Sequence, residues 1–115
     1  MSTARGRIAE GRAAHFLKRR GYKILARNVR LARGEIDIIA RCGDIVSFVE
    51  VKSRKNRDDA LLAMHEDKCW RIRSAAQAYI GQQPSLAALQ CRFDLIILTP
   101  GRWFARIEHL KDILR

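Results

Sequence analysis

Apolar residues recur along this chain with two periods, and the elements change where the period changes. Residues 5 to 20 contain no proline, and Ala13, Ala14 and Leu17 follow Glu10 by three, four and seven positions, the spacing of one helical stripe. Lys18, Arg19 and Arg20 run into Gly21 as a helix C-terminus does, and Thr3 is placed to cap the other end. The pattern predicts a helix over 5–20 whose core-facing stripe includes Glu10. An acid in that position needs a partner.

After Gly21 the period shortens to two. "YKILARNVR", "EIDIIA" and "IVSFVEVK" read as three strands rich in Ile and Val, the last two joined at "RCGD", where Gly43 permits the positive φ of a hairpin turn. With Arg41 and Asp44 flanking a two-residue turn, Asp37 faces Phe48, Glu35 faces Glu50 and Ile39 faces Val46. Alternation then gathers Glu35, Asp37, Val46, Phe48, Glu50 and Lys52 on one sheet face, and Ile36, Ile38, Ile45, Val49 and Val51 on the other. Asp37 and Glu50 become diagonal neighbours, with Cβ atoms about 7 to 8 Å apart.

Downstream, the polar stretch "RKNRDDALLAM" predicts a connection, followed by a helix from about residue 65 to 81 with Pro84 beyond it. Cys69, Ile72, Ala76, Tyr79 and Ile80 form its core-facing stripe, Glu66 and Asp67 suit its N-terminal end, and Lys68 sits in its first turn. "QQPSLAALQ" predicts a loop, "RFDLIILTP" a central strand covered on both faces, and "RWFARI" a final strand before the tail "EHLKDILR". Helices alternating with a strand cluster imply one α/β domain over 1–115, with a mixed sheet flanked by helices.

Composition narrows the partners. The 115 residues are 48% hydrophobic, enough for a single core, and no apolar run approaches the ~20 residues of a membrane span, so a cytoplasmic protein with no membrane partner is expected. Cys42, Cys69 and Cys91 are far apart, lack C-x-x-C spacing and form no zinc pattern with the histidines. The formal net charge is +11, and the first thirty residues hold nine Lys or Arg against Glu10 alone. Such an excess favours a polyanion, nucleic acid first. Trp70, Trp103 and Phe104 are too few and too scattered to define a stacking platform for single strands.

Glu50-x-Lys52 on a strand presents carboxylate and ammonium on one face, and Asp37 from the paired strand adds a second hard oxygen ligand. That is the outline of a phosphodiesterase site in which two carboxylates hold Mg²⁺ and the lysine positions the attacking water or stabilises developing charge. A solvated face bearing an ordinary Glu50–Lys52 pair is the bland alternative.

"GRIAEGRAAHFLKRRGYKILARNVR", "GEIDIIA", "FVEVKSR", Lys68 with "RSAAQAY", and "RFDLI" together resemble the bacterial YraN-like proteins, a largely uncharacterised family similar in fold to archaeal Holliday-junction resolvases of the PD-(D/E)XK nuclease superfamily. The resemblance implies a restriction-endonuclease-like core with a sheet of about five strands. It makes Asp37, Glu50 and Lys52 the catalytic motif, and Glu10, Asp37 and Glu50 the ligands of Mg²⁺ or Mn²⁺. Lys68 is placed to contact a phosphate, and Arg5, Arg7, Arg12, Arg33 and Arg54 complete the expected nucleic-acid-binding set. A homodimer is also implied, because resolvases cut two strands. The segment between "FVEVKSR" and Lys68 departs from the family, being acidic through Asp58, Asp59, Glu66 and Asp67.

Three functions follow from these residues: a metal-dependent endodeoxyribonuclease acting on branched DNA, a catalytically silent nucleic-acid-binding module of the same fold, or a basic protein-interaction domain.

Overall fold

Glycine at 21 (φ +89°) lets the first helix stop where its sequence signals say it should: Tyr22 N–H reaches back to Leu17 O at 3.0 Å and Gly21 N–H to Lys18 O at 3.1 Å. In the computed structural model, which describes residues 4–67 and 69–114, the elements are α1 (Ala4–Arg19), β1 (Lys23–Leu31), β2 (Gly34–Cys42), β3 (Ile45–Ser53), α2 (Arg57–Glu66), α3 (Cys69–Gln82), a short 3₁₀ turn (Pro84–Leu86), β4 (Gln90–Thr99) and β5 (Arg106–Leu110). The Thr3 cap and Lys68 lie outside the described residues.

The sheet runs β1-β2-β3-β4-β5, antiparallel except for the parallel β3–β4 pair, whose crossover is α2 and α3. This is the expected α/β architecture: a five-stranded mixed sheet flanked by helices, consistent with a restriction-endonuclease-like core. Ala13, Ala14 and Leu17 of α1 pack on Ile38, Ala40, Val49, Ile96 and Leu98, while Ala60, Met64, Ile72 and Ala76 of α2 and α3 pack on Ile39, Phe48, Leu95 and Ile97. At the β1–β2 hairpin, a Cβ on Gly34 would lie 1.8 Å from the backbone oxygen of Arg71, so the missing side chain is what lets α3 seat there.

Four expectations need correction. The β2–β3 turn is Gly43-Asp44 rather than Cys42-Gly43, so Ile39 faces Phe48 and Arg41 faces Val46. The slip leaves the parity of the two strands intact and moves Asp37 from opposite Phe48 to the level of Glu50. Ile36 and Ile38 do not share a face: Ile36 packs with the α3 side and Ile38 with α1, so alternation breaks at Asp37. The helix expected at 65–81 is two helices, because Asp67 takes an extended conformation (ψ 148°) and α2 starts at Arg57, eight residues earlier than the pattern suggested, capped by the Asn56 side chain on Asp59 N–H at 2.8 Å. The last strand begins at Arg106, not Arg102, leaving Trp103 and Phe104 in a loop.

Candidate active site

Asp37 owes its position to the break in alternation. Paired register between β2 and β3 runs as far as Ile38–Val49, and one step on, Val51 N–H donates to the Asp37 carboxylate at 2.8 Å. The carboxylate thus takes an N–H that would otherwise join the ladder, and it lies where the strands part. Across β1, between the Arg27–Ile38 and Val29–Ile36 pairs, sits Asn28, with left-handed backbone (φ 52°) that Asn tolerates better than most residues. With its amide oriented to satisfy both partners, Asn28 donates to the two oxygens of Glu10 at 2.7 and 3.2 Å.

Glu10 is almost wholly buried, 4% exposed on the sheet-facing stripe of α1. Glu50 and Lys52, two residues apart on β3, complete the group; Lys52 Nζ lies 3.3 Å from Glu50 and 2.5 Å from Asp67. A pocket of about 330 Å³ is lined by Glu10, Asn28, Asp37, Glu50, Lys52 and Arg54.

The three carboxyls form a row with Asp37 in the middle. Burial, then the Asp37 charge and a hydrogen bond to it, push Glu10 up to about 7. Burial and Asp37 push Glu50 up to about 8 against the pull of Lys52. Asp37 is also raised by burial, with the Val51 N–H, Glu50, Lys52 and Glu10 pulling it back. Close to neutral pH the row therefore keeps protons between its members, as like charges at close range must. Lys52 behaves oppositely: burial lowers its pKa, but hydrogen bonds and charge from Asp67 and Glu50 outweigh burial and raise it. It is a fixed cation, not a base.

Among the described residues no three Asp, Glu, His or Cys side chains already stand at metal-ligand spacing. The donor set nevertheless fits a hard divalent cation in kind and charge, since it offers carboxylate oxygens only and holds protons that a cation would displace. Glu10, Asp37 and Glu50 are the residues that would hold it.

The basic residues singled out from sequence distribute unevenly. Arg54 lines the carboxylate pocket, and Arg5 lines a neighbouring one with Gly6, Ser53, Arg54 and Lys55. Arg12 faces a groove further along α1, Arg33 lies with Arg30 and Arg71 at the β1–β2 hairpin, and Arg7 is exposed on α1. Glu35, grouped with Asp37 and Glu50 by strict alternation, is exposed at the rim and paired with Arg30 at 3.7 Å. Two residues at the site escaped sequence reasoning: Asn28, whose role depends on a backbone angle, and Asp67, which reaches Lys52 only because the helix breaks there.

A profile of the uncharacterised protein family UPF0102 matches residues 9–98. Similar proteins include the UPF0102 protein R00337 of Rhizobium meliloti, 46% identical over 108 residues covering 94% of this chain and 86% of the relative. A UPF0102 protein of Bradyrhizobium sp. is 48% identical over 95 residues, covering 83% and 70%, and amb4503 of Paramagnetospirillum magneticum is 43% identical over 102 residues, covering 85% and 79%. Among the described residues no helix is long and apolar enough to cross a membrane.

Proposed function

The chain belongs to UPF0102, an uncharacterised protein family, and from its own site we propose that it is a metal-dependent endonuclease acting on branched or otherwise structured DNA. One observation carries the reading: acids from three separate elements, α1, β2 and β3, meet in one pocket beside a buried lysine, on a chain of net charge +11. Burying three like-charged groups together is unfavourable unless a cation or protons compensate. A site kept in that state is a common signature of function rather than of stability.

When bound, a divalent cation supplies Lewis acidity at the scissile phosphate and a lower pKa for a coordinated water. Lys52, held protonated, stabilises the charge that grows on the phosphate oxygens. Asn28 fixes the Glu10 carboxyl, and the Val51 N–H fixes Asp37, so two of the three acids cannot drift from the pocket. Arg54 at the rim is placed to bind the adjoining phosphate. The test is incubation with four-way-junction, flap, single-stranded and duplex DNA in Mg²⁺ or Mn²⁺. Cleavage of a branched substrate that stops in EDTA supports the reading, and no cleavage of any substrate opposes it.

Glu10 and Glu50 bind protons more tightly folded than unfolded, so without metal their contribution to stability is fullest below about pH 4.5 and is lost as pH rises toward 7 and 8. A cation replaces those protons. Millimolar Mg²⁺ is expected to raise the melting temperature by roughly 5 °C at pH 8 and by less than about 1 °C at pH 5.5. Equal shifts at both pH values, read by differential scanning fluorimetry, would count against the carboxylate row as the metal site.

One observation favours the silent binding module: the Lys52 ammonium is already engaged by both Glu50 and Asp67. In that reading the same surface binds DNA, and the junction assay gives a complex without products.

A further inference from the structure

Two of the most exposed large apolar side chains of the molecule are neighbours on one loop, Trp103 at 80% and Phe104 at 86% exposure. The loop is built to hold them there. Gly101 stands where a Cβ would lie 2.0 Å from the Phe104 backbone oxygen, so only glycine lets the chain turn this tightly, and the Arg102 guanidinium lies 5.7 Å from the Trp103 ring centroid. Facing them across a groove of about 740 Å³ are Arg5, Ile8 and Arg12 of α1, and none of the described residues lining it is acidic. Ile8 is itself 60% exposed. The groove is continuous with the carboxylate site: it shares Arg5, Ala9 and Ser53 with a pocket of about 520 Å³ that Lys55 and Asp59 also line, and which in turn shares Gly6, Val51 and Arg54 with the pocket of Glu10, Asp37 and Glu50.

We propose that this groove receives unpaired nucleotides next to the bond at the carboxylate site, their bases stacking on Trp103 and Phe104 and their phosphates following Arg5 and Arg12. The inference rests on the nucleic-acid reading above and narrows its substrate to a duplex with a single-stranded segment beside the junction. Bases in a duplex are covered by their neighbours, and only unpaired ones offer a face to an exposed indole or phenyl ring. Interleaved arginines distinguish the surface from an apolar protein-docking patch and supply charge complementary to a strand.

Fluorescein-labelled duplexes with a single-stranded overhang, in DNA and RNA versions, are compared with blunt duplexes of equal length, in EDTA so that no cleavage intervenes. A Trp70→Phe background leaves Trp103 as the reporting indole. Overhangs are expected to quench its emission and blunt duplexes to leave it unchanged; Trp103→Ala and Phe104→Ala should each weaken overhang binding about five- to hundredfold, change blunt-duplex binding less than about twofold, and leave the melting temperature in place. Trp103→Phe, which keeps a ring, should restore most of the loss. Overhang binding unchanged by either alanine, or both substrates weakened equally, overturns the stacking groove. A concentration-dependent dimer in light scattering that disappears with Trp103→Ala also overturns it, by making the groove an interface between copies. Trp103-dependent binding without cleavage by the wild type in Mg²⁺ keeps the groove and removes the nuclease, whereas cleavage of overhang substrates with unaltered KM in both alanine variants does the reverse.

Discussion

Asp37→Asn is expected to lower the cleavage rate by about a thousandfold or more while the protein folds normally and still binds DNA. Asparagine is nearly isosteric, and its side-chain oxygen can still accept the Val51 N–H that Asp37 accepts at 2.8 Å. What it lacks is the charge at the centre of the Glu10–Asp37–Glu50 row, the one position that touches both other acids. Stability should hold or rise, because a desolvated charge leaves the interior. Single-turnover cleavage of a labelled junction, alongside a melting curve, separates the two effects. A rate within about tenfold of the wild type would assign the chemistry elsewhere.

The second large effect concerns folding. Asp94 on β4 is 1% exposed and serves as the common acceptor for Ser47 Oγ, for Arg92 through both Nε and Nη2, and for Asp112 N–H at 3.0 Å, with His109 Nε2 at 2.8 Å. Arg92 Nη2 also donates to Tyr22 Oη at 2.7 Å, tying β4 to the residue just before β1. Burial alone would raise the Asp94 pKa, but His109, Arg92, Ser47 and the Asp112 N–H outweigh it and hold the carboxyl well below the usual carboxylate range. Its stabilisation is fully present above about pH 4, the ordinary carboxylate value, and fades only in stronger acid. Asp94→Ala removes one acid and strands the half-buried Arg92 guanidinium and the buried Ser47 hydroxyl together. We expect a loss of about 3 to 5 kcal/mol, a melting temperature lower by roughly 10 to 20 °C, with Asp94→Asn intermediate. Thermal denaturation by circular dichroism at pH 7 checks this; a drop under about 3 °C would show that the network contributes little.

Asp94 shows why some of this was legible in the sequence and some was not. A single acid inside "RFDLIILTP" asks the same question as Glu10 on its apolar stripe, yet its partners lie at 47, 92, 109 and 112, and only the folded sheet brings them together. Glu10 was readable because helical spacing is local. The shared pocket of Asp37, Glu50 and Lys52 survived a misplaced turn because moving both ends by one residue preserves strand parity. Other features had no local signature. The left-handed angle at Asn28, the break in alternation between Ile36 and Ile38, and the extended Asp67 all arise from strand twist and tertiary packing, which override period-two and helical patterns alike. The 102–104 segment read as strand from its aromatic content, whereas the tight turn at Gly101 puts those rings on a loop.

The sharing of one divalent cation by Glu10, Asp37 and Glu50 is tested most directly by calorimetric titration of Mn²⁺ into the protein at pH 8. It predicts a single site per chain in the wild type, competed by Mg²⁺ and lost in Asp37→Asn. Mn²⁺ binding of equal affinity and stoichiometry in Asp37→Asn, or none in the wild type at millimolar metal, would contradict it.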